Sequence, residues 1–150
     1  MAVKNGILSS RVKFSFGENV SSGTRTYTQI FGLQSVPSLG GDVDKVETTC
    51  LENLSRTYIN GLRDYGDLTF KFLYNSGDGE NYKTLQGLSG VSGVIKLEIP
   101  DDNLDTPASY TAFYIPCQMT VSLDAFDINT ALTFTVSAAL NGDIANTEPA

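Results

Sequence analysis

Apolar side chains recur at every second position in stretch after stretch of this chain, and a period of two commits it to strands rather than helices. The clearest stretch is Leu68-Thr69-Phe70-Lys71-Phe72-Leu73-Tyr74, with Leu68, Phe70, Phe72 and Tyr74 on one face and Thr69, Lys71 and Leu73 on the other. Val12, Phe14 and Phe16 repeat the pattern near the start, Ile95, Leu97 and Ile99 in the middle, and Leu132, Phe134 and Val136 near the end. Tyr27 to Leu33 reads as one further strand, with Tyr27, Gln29 and Phe31 opposed to Thr28 and Ile30, closed by Pro37 and the Gly40-Gly41 pair. Ser109 to Leu123 is a long strand that Pro116 should bend or break.

One helix interrupts the strands. Asp78 suits its N-cap and Glu80 its positive end, Tyr82, Leu85 and Leu88 fall on one side, and Gly90 offers the stop. About six or seven strands with one short helix predict a mainly β fold. The expected form is two packed antiparallel sheets, a sandwich or half-open barrel, with the helix closing one end and a long inter-strand loop. At 150 residues the chain is expected to be one domain, 1–150, able to bury roughly 68–70% of its unfolded surface without metal or disulfide staples. Residues 1–23 read as an N-terminal arm and 141–150 as a polar C-terminal tail.

Net charge is −7, and its distribution is uneven. Residues 1–96 carry ten basic and nine acidic groups, whereas residues 97–150 carry eight acidic groups and no base. A basic leading arm and an acidic trailing third make a polarised subunit. Such a subunit suits head-to-tail contacts, which generate rings or open filaments.

The remaining chemistry is mostly excluded. There is no histidine, which removes the usual general base and the commonest metal ligand. The carboxylate pairs Asp64/Asp67 and Asp124/Asp127 lie in polar segments with no apolar surroundings to raise a pKa. Asp101-Asp102-Asn103-Leu104-Asp105 begins like a calcium loop but has Thr106 and Ala112 where Gly and Glu are needed. Gly87, Gly90 and Gly93 lack the Lys-Ser/Thr of a phosphate cradle. Cys50 and Cys117 have no metal-ligand spacing and are expected to be reduced. Asn19-Val20-Ser21 and Asn53-Leu54-Ser55 match a glycosylation pattern without a secretory route. Met1 to Ser10 has one Lys and no long apolar run, so neither a leader nor a membrane span is expected, and synthesis in a cytoplasm is. No catalytic residue, cofactor or metal is expected. Exposed tyrosines such as Tyr58, Tyr65, Tyr110 and Tyr114 leave a carbohydrate-binding sandwich as an alternative.

Between the second strand and Leu68 runs a long polar excursion, longer than the roughly 12–15 residues usual for loops without a task. It opens Val36-Pro37-Ser38-Leu39-Gly40-Gly41, continues Val46-Glu47-Thr48-Thr49-Cys50-Leu51-Glu52-Asn53, passes Tyr58-Ile59-Asn60-Gly61-Leu62-Arg63-Asp64-Tyr65-Gly66-Asp67 and enters the aromatic strand. Within it a short hairpin arm is expected at Val46 to Cys50. This order of pieces resembles the major tail protein of long, non-contractile-tailed bacteriophages, the tail tube subunit. The resemblance covers the middle of the chain well and the ends loosely.

The resemblance implies two packed sheets, one helix and stacked hexameric rings forming a hollow tube in the virion tail. Assembly would occur in the host cytoplasm. It also implies tail-tip, tape-measure and tail-terminator partners, with DNA passing through the lumen without specific binding. Inter-subunit contacts are then expected at Lys4, Arg11, Lys13, Asp42, Asp44, Glu47, Arg56 and Arg63. Lys4, Arg11 and Lys13 would meet acidic groups of a neighbour such as Asp101, Asp102 and Asp105. Asp101, Asp102, Asp105, Asp124 and Asp127 are the candidates for an acidic lumen or neighbour-facing surface. The tube subunit of a contractile injection or secretion machine is the nearest alternative.

Overall fold

A computed structural model describes residues 11–19, 23–75, 81–102 and 107–148. The strands are β1 (Lys13–Glu18), β2 (Thr28–Ile30), β3 (Leu33–Ser35), β4 (Asp42–Glu47), β5 (Tyr58–Asp64), β6 (Leu68–Leu73), β7 (Ser92–Pro100), β8 (Tyr110–Leu123) and β9 (Thr133–Leu140), with α1 (Asn81–Gly87) between β6 and β7. The fold is mainly β, as the alternation predicts. One antiparallel sheet has seven strands in the order β2-β1-β7-β8-β9-β6-β3, and a second consists of β4 and β5.

The large sheet curls over on itself. In a flat sheet β1 and β6, four steps apart, would lie about 19 Å from one another. Instead the Phe14 ring meets Phe70 at 5.2 Å and Phe72 at 4.9 Å, both edge to face. Phe72 then stacks on Phe134 at 5.2 Å. The inward-facing alternate residues of every long strand converge there: Phe14 and Phe16, Ile95 and Leu97, Ile115 and Met119, Phe134 and Val136, Phe70 and Leu68, all fully or almost fully buried. The two layers are thus opposite walls of a half-open barrel. Its two edges, β2 and β3, are not paired with each other.

Those edges are consecutive in the chain. The run Tyr27–Leu33, expected as one strand, breaks at Phe31-Gly32, and its halves end up on opposite edges of the sheet. Gly32 makes the crossing possible. Its φ is +94°, and a Cβ there would stand 2.8 Å from both the Asn81 side-chain nitrogen and the Leu73 carbonyl oxygen. Asn81, 1% exposed, bridges the seam. Its Nδ2 donates to the carbonyls of Phe31 and Leu73, each at 2.7 Å. Its Oδ1 accepts from the amides of Asn75 at 2.9 Å and Tyr82 at 2.8 Å.

The helix lies where its spacing places it. Leu85 is fully buried, and Tyr82 and Leu88 pack partly against the core. Tyr82 meets Phe134 edge to face at 5.2 Å. Gly90, φ +82°, ends the following turn and donates its amide to the Met119 carbonyl at 2.8 Å. The proposed cap Asp78 and Glu80 fall outside the described residues. Pro116 does not break β8, which runs unbroken for 14 residues. It does mark where pairing with β9 stops, at Cys117↔Leu140.

Replacing Asn81 with Ala leaves two carbonyls and two amides without their partner, and should cost about 1–3 kcal/mol. Urea unfolding checks it, with outward-facing Thr69→Ala expected within about 0.5 kcal/mol of the parent. An Asn81→Ala protein as stable as the parent contradicts the bridging role.

Candidate assembly surfaces

The long excursion is a β-hairpin arm. β4 and β5 pair from Asp42↔Asp64 at the base to Glu47↔Tyr58 near the tip, about 20 Å of ladder. The short hairpin expected at Val46 to Cys50 is therefore corrected to a longer one beginning at Asp42, whose second strand, Tyr58–Asp64, was not expected. An irregularity between Val43 and Lys45 gives β5 one extra residue. The tip is held by threonines: Thr48 donates its amide to the Thr57 carbonyl at 2.8 Å, and Thr57 donates its amide to Thr49 Oγ1 at 2.8 Å.

At the base stand two glycines with positive φ, Gly41 (+70°) and Gly66 (+66°). A Cβ at Gly41 would sit 2.9 Å from the Asp64 carbonyl oxygen, so glycine is required for the close turn. No residue of β4 or β5 is buried. Val46, Leu51, Leu54, Tyr58, Ile59 and Leu62 are all exposed on the arm, Leu51 and Leu54 completely. Exposed apolar residues scattered singly need no explanation, but a hairpin this apolar without a core of its own does.

Five of the eight expected contact residues lie on this arm: Asp42, Asp44, Glu47, Arg56 and Arg63. Arg56 is 3.8 Å from Glu47, and both are well exposed, so the pair adds little to stability. Arg63 stands over the Tyr65 ring at 5.9 Å. Asp42 and Asp64 are directly opposed like charges at the base, an arrangement that weakens the ladder there. Lys13 is on β1 of the body, its Nζ 4.4 Å from the centre of the Tyr110 ring. Arg11 is exposed in the turn before β1 with φ +64°. Lys4 and Asp105 lie outside the described residues.

The acidic candidates divide between two ends. Asp101 and Asp102 follow β7, beside the start of β8, while Asp124 and Asp127 follow its end, about 45 Å of strand away. Lys13, opposite Glu98 in the β1–β7 ladder, shares the Asp101 end of its own subunit. A contact between Lys13 and a neighbour's Asp101 therefore joins like ends, side by side. Asp101 accepts from Ser109 Oγ at 2.7 Å and from Thr111 Oγ1, and these hydroxyls, Thr111 foremost, lower its pKa. Asp124 accepts from Thr133 Oγ1 at 2.8 Å and Thr135 Oγ1 at 2.6 Å, with Lys71 Nζ at 3.7 Å. Its pKa is lowered too, chiefly by Thr135. Asp102 accepts the Ala108 amide at 3.3 Å. Asp127 is exposed in a turn closed by Thr130, whose Oγ1 accepts the Asp127 amide at 3.1 Å.

The tyrosines considered for sugar binding do not assemble. Tyr58 is on the arm and Tyr65 at its base, whereas Tyr110 and Tyr114 are on β8 beneath lysines. Cys117 is buried, its thiol pushed up to about 12 by desolvation, and Cys50 is exposed at the arm tip, both free. Among the described residues there is no cluster of metal ligands and no helix long and apolar enough to cross a membrane.

The described fold is a curled, half-open seven-stranded sheet with a hairpin arm whose apolar residues stay exposed. The chain belongs to the family "Phage tail tube, TTP, lambda-like", whose sequence model matches residues 18–145. Among curated proteins no sequence matches. Solved structures share the fold at low identity. The anti-feeding prophage cap, described as its tube terminating cap, is 14% identical with TM-score 0.71, covering 97% of this chain and 93% of that one. The sheath/tube terminator of the extracellular contractile injection system PVC in its extended state is 16% identical with TM-score 0.69, covering 96% and 98%. A chain of the 6-fold symmetrised anti-feeding prophage baseplate is 13% identical with TM-score 0.61, covering 95% and 96%.

The Asp124 carboxylate has a lowered folded-state pKa, so its contribution to stability is complete above the ordinary value of 3.8 and is lost as the pH falls through the folded value. Asp124→Asn should accordingly lower Tm at pH 7, with the difference from the parent closing in strong acid. Thermal unfolding across that range checks it. A difference that widens on acidification contradicts the hydroxyl-stabilised carboxylate.

Proposed function

We propose that this chain is the building subunit of a phage tail tube, forming hexameric rings that stack into a hollow channel. The observation that carries the reading is the β4–β5 arm, whose apolar residues gain about 1.5–3 kcal/mol each when a neighbour buries them. The family supplies the kind of structure, and the arm supplies the means of joining. On the body, Lys13 and Arg11 offer a second, polar contact to the acidic turn of an adjacent subunit.

The tube carries DNA as a passenger. Carboxylates at both ends of β8 would place negative charge at more than one level along a subunit. The hydroxyl partners of Asp101 and Asp124 lower the pKa of these carboxylates, in the direction that favours the charged form. Their repulsion of phosphates reaches about 8 Å at physiological ionic strength, enough to prevent sticking to a wall but not to impede passage. Tail-tip, tape-measure and tail-terminator proteins are the further partners, and the assembled particle's tail is the place of action. The fold likeness to caps, terminators and baseplate chains of contractile systems favours one second reading, a tube or terminator subunit of such a machine.

Replacing Leu51, Leu54 and Leu62 with Ser tests the arm. Because these side chains bury nothing in the subunit, unfolding stability should stay within about 0.5 kcal/mol for each. Sedimentation velocity of concentrated protein should show large assemblies for the parent and single subunits for the variant. A variant that assembles like the parent removes the arm from the interface.

A further inference from the structure

The strand β8 is longer than its partner β9, and the C-terminal segment covers only the near part of the surplus, at Pro116 and Tyr114. β7 pairs with Tyr110 through Gln118, but β9 pairs only with Cys117 through Leu123. The opposite side of Tyr110–Pro116 is a half-strand edge. At Pro116 the ring leaves no amide to donate, and the Pro116 carbonyl accepts from the Asn141 amide at 3.1 Å. The β9 register would then set Asp143 opposite Tyr114, since 117 pairs with 140. Ala145 stands there instead, exchanging two backbone hydrogen bonds with Tyr114 at 2.7 and 3.2 Å. A single bridge two residues out of register is a weak cover. No other strand among the described residues pairs with this side of Tyr110–Phe113.

The segment is fastened at its far end. Glu148 Oε1 accepts from Tyr27 Oη at 3.1 Å and lies 3.4 Å from Arg25 Nη1. Arg25 is held independently by the Glu18 carbonyl at 3.3 Å and by Asn19 Oδ1 at 3.0 Å. Beside it, Tyr27 and Tyr114 face each other at 6.1 Å with Lys96 Nζ over both rings, and Lys13 stands over Tyr110. When Glu148 leaves, the Arg25 guanidinium loses its carboxylate partner next to the edge, with Lys96, paired to Glu98 at 3.4 Å, nearby. Residues 97–150 of another copy carry eight acidic groups and no base.

We propose that residues 141–148 are a displaceable strap guarding the β8 edge, and that the edge is taken by a second copy of this chain when subunits join. An unpaired edge invites pairing with any exposed strand, and a weak self-cover delays it until a better-matched partner arrives. The inference rests on the tube reading above.

A disulfide lock tests it. Directly opposed residues have Cα atoms about 5.5 Å apart, within disulfide reach. Tyr114→Cys/Ala145→Cys in a Cys50→Ser background should stay a single subunit when oxidised and assemble when reduced. Glu148→Gln, which keeps the shape and removes the charge, should shorten the assembly lag about two- to fivefold, the scale of one part-exposed ion pair. Oxidised protein that assembles as fast as reduced protein overturns the strap and leaves the tube reading intact. Failure of reduced, unlocked protein to associate at any concentration, seeded with tail-tip complexes or not, overturns the tube reading and the strap with it.

Discussion

The crossing at Phe31-Gly32 links the two edges of the large sheet with two residues, and the rest of the fold depends on its being held. Edges that far apart in hydrogen-bond order can be joined so briefly only if the sheet curls until they nearly meet. The Asn81 side chain fixes the meeting point by spending both amide donors on Phe31 and Leu73 and both acceptor positions on Asn75 and Tyr82. Curling brings Phe14 onto Phe70 and Phe72 and so creates the core. The same crossing sets where β3 ends and therefore where the arm leaves the body. Buried polar groups of this kind are valuable when every bond is made and costly when one is missing.

Much of the body was legible because burial of one face imposes a period of two. Leu68, Phe70 and Phe72 alternate with Thr69, Lys71 and Leu73 in the sequence and in the structure alike. The arm has no buried face, so Tyr58–Asp64 carries no alternation, and its apolar residues lie irregularly along the strand. That is why its second strand was hidden. Gly32, a glycine inside an alternating run, was the readable sign of the broken strand. Asn81 left no such sign, because an asparagine in a helix gives no indication of which carbonyls its amide will reach.

The polarised charge of the sequence takes a different form in space. Chain order suggested one acidic region, but a 14-residue strand separates Asp101 and Asp102 from Asp124 and Asp127. Side-chain hydroxyls of Ser109 and Thr111, and of Thr133 and Thr135, lower the pKa of Asp101 and Asp124 respectively. On the proposed tube reading, association would set these acidic ends against Lys13, Arg25 and Lys96, of which Arg25 and Lys96 already pair with Glu148 and Glu98 in their own subunit. The chain's membership of the tail tube family stands beside that division between a body with a buried core and an arm with none.

Electron microscopy of the purified protein in negative stain, fresh and after days at high concentration, addresses that division directly. Closed rings or hollow tubes are expected, with the arm lost into subunit contacts. Dispersed single subunits that persist even when seeded with tail-tip complexes would contradict it.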